Sequence, residues 1–326
     1  MRIVKRLTSA IVMIYVVTTV IFFVIRLMPG SPYVTMMNTL LRQGYSLIQA
    51  ENEAKALYGF QIRAPILEQY KEYMVNLLHA NLGTSLMYPG QSVMTLIARA
   101  APWTVLVVAV ALLISFGVGV LIGAIAAYRR GSRFDHLVTI GSSLLNGVPQ
   151  YLTAILLFYF LAVLGRKFPM GGAYAPTVTP GFNLSFILSV LYHAILPIAA
   201  FVLSSFAGWS LSMKANTVSV LGEDYIGAAQ AMAIKQQTVI VSYVSRNAIL
   251  PLFTSLVLAV GFMFGGSLFV EQVFNYPGLG YLFIQSTTGR DFPLMQGCFL
   301  LLTSAVILAN VVADLLYSTL DPRIQQ

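Results

Sequence analysis

The sequence predicts an all-α integral membrane protein that crosses the bilayer six times. Three observations predict it. Of 326 residues, 58% are hydrophobic and only 9% are charged, whereas a soluble domain carries about 25% charged residues because its surface faces water. Six apolar runs each reach the roughly 20 residues that a helix needs to cross a hydrocarbon core about 30 Å thick. Basic residues gather at the ends of these runs, where they fix topology. The formal charge of +8, from 19 Lys and Arg against 11 acids, therefore reads as topology and not as a nucleic-acid footprint. The single cysteine, Cys298, lies in an apolar run and forms no internal disulfide, and three scattered histidines make no metal cluster. No catalytic residue and no metal ligand is expected.

The first run is Leu7 to Ile25, preceded by Arg2, Lys5 and Arg6 and ended by Pro29 and Pro32. It is too long for a cleavable signal and leads to no small-residue cleavage site, so it is expected to remain as the first anchor. Residues 31–98 are more polar and hold Glu51, Glu53, Lys55, Glu68, Lys71 and Glu72. Short amphipathic helices outside the bilayer are expected there, for example Ile66 to Leu78. The second run, Ala100 to Ala127, has no charge and contains Gly117, Gly119 and Gly123, small residues that let helices approach closely. A basic turn, Tyr128-Arg129-Arg130-Gly131-Ser132-Arg133, closes it. The third run, Leu137 to Gly165, carries Pro149 in its middle, which frees a carbonyl that a neighbouring helix or a water-lined path must satisfy.

Arg166 to Asn183 reads as a loop, and the fourth span lies within Leu184 to Met213 with a kink expected at Pro197. A polar stretch, Lys214 to Arg246, has room for two short helices. The fifth span is Ala248 to Val270, a turn-rich loop runs from Glu271 to Gly280, and the sixth span is Pro293 to Leu316. The predicted organisation is residues 1–98 as N-terminal end, first helix and long external segment, 99–318 as the membrane core with a cytoplasmic loop at 221–247, and 319–326 as tail. With the N-terminus inside, the cytoplasm receives Arg2, Lys5, Arg6, Arg129, Arg130, Arg133, Lys214, Lys235, Arg246 and Arg323, against Arg166, Lys167 and Arg290 in the short outer loops. Both termini are therefore expected in the cytoplasm.

The segment between spans four and five is the most informative. Glu223 and Asp224 stand where a helix N-terminus welcomes negative charge. The alanine-rich turn behind them is a strong helix former with a smooth face. Two readings are open on the residues alone: an ordinary interfacial linker, or a helix that slots into a groove on another protein.

Resemblance separates these readings. Gly227-Ala228-Ala229 and Ile249-Leu250-Pro251 are similar to the coupling loop of ABC-importer membrane subunits, whose pattern is Glu-Ala-Ala, a following Gly, and an Ile-x-Leu-Pro ending. Gly227 stands in place of the Glu, and Ala233 in place of the Gly that makes the turn between two short helices. Further landmarks match over nearly the whole chain. They are Pro29-Gly30-Ser31-Pro32, Asn81-Leu82-Gly83-Thr84-Ser85, Arg129-Arg130-Gly131-Ser132, Asp224-Tyr225 and Arg246-Asn247-Ala248. Late in the chain come Glu271 with Tyr276-Pro277-Gly278-Leu279-Gly280, Arg290-Asp291-Phe292-Pro293 and Asp321-Pro322-Arg323. In order and spacing they resemble the B-type membrane subunit of the dipeptide/oligopeptide/nickel ABC importer family.

The resemblance implies the type I ABC importer transmembrane architecture in a bacterial or archaeal cytoplasmic membrane. It also implies a second, C-type permease subunit, two ATP-binding subunits that carry ATP and Mg, and an external substrate-binding protein. It assigns ATPase coupling to Glu223, Asp224, Tyr225, Ile226, Gly227, Ala228, Ala229, Ala231 and Ala233. The chain has no Gly-x-x-x-x-Gly-Lys-Ser/Thr loop of its own. Di- or oligopeptides are the expected cargo, with nickel chelates or oligosaccharides as alternatives.

Intramembrane polar residues are candidates for the pathway or for helix packing: Asn146, Pro149 and Gln150 in span three, and Asn310 with Asp314 in span six. His193 reads as a packing histidine. Spans two to five hold no acid in their apolar cores, which counts against an ion-coupled secondary transporter. No paired nucleophile and base supports a membrane-embedded enzyme.

Overall fold

The computed structural model describes residues 2–28 and 32–320. Pro29-Gly30-Ser31 and Asp321-Pro322-Arg323 lie outside the described residues, as does the side chain of Asp314. Among the described residues there is no strand beyond an isolated bridge between Thr84 and Ser92. The helices are α1 (Arg2–Leu27), α2 (Pro32–Arg42), α3 (Leu47–Arg63), α4 (Ile66–Leu78), α5 (Val93–Tyr128), α6 (Arg133–Asn146), α7 (Gln150–Leu157), α8 (Leu184–Leu221), α9 (Asp224–Ala231), α10 (Gln236–Thr238), α11 (Arg246–Val273), α12 (Leu279–Thr288) and α13 (Phe292–Leu320). Two π-helical segments, Phe158–Leu164 and Val239–Ser245, continue α7 and lead into α11.

Five stretches are helical, long and apolar enough to cross a membrane: Val4–Leu27, Val93–Tyr128, Leu184–Leu221, Gln236–Gly261 and Phe292–Ala313. A sixth crossing results if Arg133–Asn146 and Gln150–Leu164, bent by 98°, count as one broken span. The third apolar run is thus not one kinked helix with Pro149 inside it. At the end of α6 the Gly147 N–H donates to the Leu144 carbonyl and the Val148 N–H to the Leu145 carbonyl, and Pro149 caps α7 from outside. A proline has no N–H to continue the ladder and forces its predecessor out of the helical region, so the chain breaks there.

Two further expectations change. The fourth span does not end at Met213: α8 holds Pro197 within it and runs on through Lys214 to Leu221, where Gly222 caps it. The loop from Glu271 gives way to α12, a helix too short for its apolar pattern to stand out from the turn signals before it. The polar stretch does hold its two short helices, α9 and α10, and α4 spans Ile66–Leu78 as predicted.

The chain forms two compact units, Met1–Thr104 with Pro277–Leu308, and Val105–Tyr276 with Ala309–Gln326. In the first, α4 lies on α1 through Phe22, whose ring stacks on Tyr73 at 5.3 Å and meets Tyr70 edge-on at 5.2 Å. The other face of α1 exposes Val16, Val20, Val24 and Leu27, as a lipid-facing surface does. Ile25 of α1 packs with Phe292 and Met295 of α13.

The same unit joins two motifs distant in sequence. Asp291 is fully buried, and its Oδ2 accepts hydrogen bonds from Ser85 Oγ at 2.5 Å, Leu86 N at 2.9 Å and Met87 N at 3.0 Å. Its Oδ1 accepts from Leu294 N at 3.1 Å, which caps α13. Successive backbone N–H groups and a helix N-terminus together make an anion nest, so the carboxylate is tolerated away from water. Gly83 and Gly90, at φ +80° and +77°, let the segment before α5 curl tightly enough to present these donors.

In the second unit α5 meets α8 main chain to main chain. A Cβ added at Gly119 would stand 2.5 Å from Trp209 Cβ and 2.7 Å from the Phe206 carbonyl, and one at Gly123 would collide with the Ser210 carbonyl. Gly117, on another face, meets open space. The pair four residues apart is the small-xxx-small arrangement of close-packed membrane helices.

Two stability predictions follow from these contacts. Gly123→Leu is expected to lower thermal stability of the purified protein in detergent by about 1–3 kcal/mol through overpacking, while Gly117→Ala does not lower it. Asp291→Ala is expected to cost about 2–4 kcal/mol, because the donors of residues 85–87 and 294 are left buried without an acceptor; the same thermal unfolding assay reads it.

Candidate functional site

The α8–α9–α10 segment is built on capping and on a two-sided helix. Gly222 ends α8, Glu223 is the N-cap of α9, and Asp224 occupies its first turn, so both carboxylates sit at the positive end of the helix. Ile226 and Ala229, three residues apart, are each only 1% exposed and pack on Val239 and Val244, with Tyr128, Val220, Leu221 and Ile234 around them. Burying Ile226 alone is worth about 2 kcal/mol. The opposite side is open: Tyr225 is 41% and Met232 69% exposed, and Glu223, Asp224, Gly227, Ala228 and Ala231 are exposed with them. A Cβ added at Gly227 would touch nothing. The residues singled out from sequence therefore divide: Ile226 and Ala229 fasten the helix to its own chain, and the others form a small-sided outer face.

Two details fix the helix in place. Asn247 Nδ2 at the start of α11 donates to Tyr225 Oη at 3.1 Å and to the Tyr243 carbonyl at 2.8 Å. Ala233, which stands where the resembled pattern has glycine, is in the left-handed region at φ +52°. The sharp turn is thus made without the glycine, with the steric penalty that an L side chain carries there, about 1–2 kcal/mol. The N–H of Ala233 donates to the Gln230 carbonyl and that of Ile234 to the Ala229 carbonyl, closing the end of α9.

A second feature lies between helices of the same unit. A cavity of about 440 Å³ is lined by Leu112, Gln150, Ser205, Gly208, Trp209, Ser212, Ser255, Leu258, Ala259 and Met263. Gln150 opens α7 immediately after the Pro149 break, and Asn146 Oδ1 lies against Gly208, 3.2 Å from where a Cβ would be. Of the three residues of this break, Gln150 lines the cavity and Asn146 lies against Gly208, which also lines it; Pro149 is not among the lining residues. Asn310 is exposed on α13 and is not among the residues lining it. His193 Nδ1 is 2.8 Å from the Ser189 carbonyl within α8, as expected of a packing histidine.

Sequence reasoning missed two polar devices, one in each unit. Asp135 of α6, nearly buried, pairs with Lys214 of α8, whose Nζ also donates to Thr139 Oγ1 at 2.6 Å. Ser132 caps α6 by accepting from Asp135 N at 3.2 Å, and Asp135 Oδ2 in return accepts from Gly131 N at 3.0 Å, a reciprocal capping arrangement. The available signal was Ser132 with an acid three residues on; its ion pair needed the unforeseen length of α8. The second device is Asp291 with Ser85, whose two motifs were each legible but whose contact was not.

Residues 119–326 match the family model described as binding-protein-dependent transport system inner membrane component. The chain is 30% identical over 323 residues to the oligopeptide transport system permease protein AppB of Bacillus subtilis, covering 99% of this chain and 98% of that one. It is 31% identical over 321 residues to the oligopeptide transport system permease protein OppB of Haemophilus influenzae, covering 98% of each. To the di/tripeptide transport system permease protein DppB of Pseudomonas aeruginosa it is 31% identical over 334 aligned positions, covering 98% and 97%. Helical, multi-pass and matched over these lengths, the chain belongs to the family of binding-protein-dependent transport system inner membrane components.

Proposed function

We propose that this permease subunit forms half of the translocation pathway of an ATP-driven importer of di- or oligopeptides. The cargo assignment is supported by the relatives AppB, OppB and DppB, named for oligopeptide or di/tripeptide transport and matched nearly end to end. Both termini lie in the cytoplasm in this reading, which follows from the basic residues of the short loops. A second permease subunit supplies the other half of the path, two ATP-binding subunits hold ATP and Mg, and an external binding protein delivers the peptide. This chain, without a phosphate-binding loop, contributes no ATPase site. Residues 99–318 form the transporting core, with 221–247 as the coupling loop.

The observation that carries the proposal is the division of α9 into an anchored and an open face. The open side, Tyr225, Gly227, Ala228, Ala231 and Met232, lacks bulk around its middle and fits a groove on an ATP-binding subunit. Movement of that subunit passes through Ile226 and Ala229 into Val239 and Val244, and through Tyr225 to Asn247. Both routes converge on the start of α11, whose Ser255, Leu258, Ala259 and Met263 line the cavity that also holds Gln150. ATP shifts the bundle only as far as the ATP-binding subunits prefer one of its two states over the other.

Reconstituted with its partners in proteoliposomes, Ala228→Arg is expected to reduce ATP-dependent tripeptide uptake about tenfold or more, as truncating or blocking a central interface residue does. Unchanged uptake at normal assembly would remove α9 from the coupling role. Ala233→Gly is expected to retain uptake and to stabilise the loop by about 1 kcal/mol, since glycine enters the left-handed region freely. Hydrogen exchange over residues 224–234, slower in that variant, would register the change.

A further inference from the structure

A second cavity, of about 220 Å³, lies in the other unit, at the C-terminal end of α1, and the transport reading makes no use of it. Its polar lining includes Arg26, Gln69, Glu72, Tyr73, Asn76 and Gln296. Arg26 is positioned tightly. Its Nε donates to Gln69 Oε1 at 2.8 Å, and Gln69 is oriented by donating from Nε2 to the Ala64 carbonyl at 2.9 Å. The guanidinium rests 3.8 Å above the Phe22 ring and 5.8 Å from that of Phe292. Yet Arg26 Nη1 is buried without a hydrogen-bond partner, and so is Nε2 of Gln296, a residue only 4% exposed.

Both residues line this cavity, and a buried donor without an acceptor is costly, so a shift of either side chain toward a bound acceptor would relieve that cost. Burial pushes the Tyr73 phenol up to about 12, so it stays a neutral hydroxyl donor beside them. The cavity has many times the room that one water needs. Donors at the back and a carboxylate at the exposed Glu72 call for a ligand with both an anionic oxygen and a cationic N–H. The last turn of a membrane-spanning helix places the cavity at headgroup depth.

We propose that this cavity binds the phosphoethanolamine headgroup of a membrane phospholipid, with the phosphate on Arg26 and Gln296 and the ammonium on Glu72. The site needs only that α1 spans the bilayer, so failure of the coupling assignment would leave it standing, and its own failure would not touch transport.

Native mass spectrometry of the full-length chain with its partner subunits, in mild detergent, tests it against three added probes: phosphatidylethanolamine, phosphatidylglycerol and soluble O-phosphoethanolamine. The expected result is saturable binding of phosphatidylethanolamine in preference to phosphatidylglycerol, weakened about tenfold by Arg26→Gln, the scale of one lost charge-assisted hydrogen bond. Glu72→Gln is expected to erase the preference between the two lipids. Gln296→Leu supplies the control for folding: it removes an unsatisfied donor, so the thermal stability of the lipid-free protein holds or rises while lipid affinity falls. Equal binding by wild type and Arg26→Gln, or equal affinity for the two lipids in the wild type, would overturn the proposal. Soluble O-phosphoethanolamine binding as tightly as the lipid would overturn the bilayer as its source.

Discussion

A polypeptide in hydrocarbon has no water with which to satisfy its peptide groups, so each N–H and carbonyl must find a partner within the protein. Nearly everything in this structure descends from that constraint. It makes the described backbone helical, stretches α5 and α8 well beyond the length of one crossing, and permits departures from the helix only where protein or a polar space can receive the freed groups. The break at residues 147–149 obeys it. Gly147 returns its N–H to α6, Pro149 has none to offer, and Gln150 opens the next helix on the edge of a cavity.

The same requirement governs the ionised groups. Asp291 is enclosed, but four donors and a helix end meet its carboxylate. Asp135 lies near a helix start with Lys214 against it and Gly131 behind it. Each joins pieces far apart in sequence: residues 85–87 with α13, and α6 with α8. These contacts let loops that carry no transmembrane role of their own hold the ends of helices at fixed positions, and the loop carrying α9 is attached by the same logic, through Tyr225 and Asn247.

How much of this could be read from the residues depends on the range of the physics involved. Apolar runs of helical length, the amphipathic α4 and the glycine pair Gly119 and Gly123 express local rules, and they were legible. The course of the third run was not, because Pro149 alone does not distinguish a kink from a break; the Gly147 cap decides it. The C-terminal end of α8 lies beyond the predicted one because Lys214 reads as the start of a polar stretch until Asp135 is placed opposite it. For α9, sequence marked the right stretch but could not tell its inner from its outer face, since alanine occurs on both. Only Val239 and Val244, across the turn at Ala233, make that distinction. The cavity at Arg26 was invisible for a similar reason, since Gln296 lies 270 positions further along the chain.

The glycines of α5 have a mechanical corollary. Where two helices touch through main chain, as at Gly119 and Gly123 against Phe206 and Ser210, there is no cushion of side chains to deform. Sliding one helix along the other would drive carbonyl oxygens over Cα atoms, and close-packed interiors resist such intermediate positions. The pair is therefore a single stiff spar, and any reorientation of this bundle is a tilt of the spar as a whole, with its pivots elsewhere.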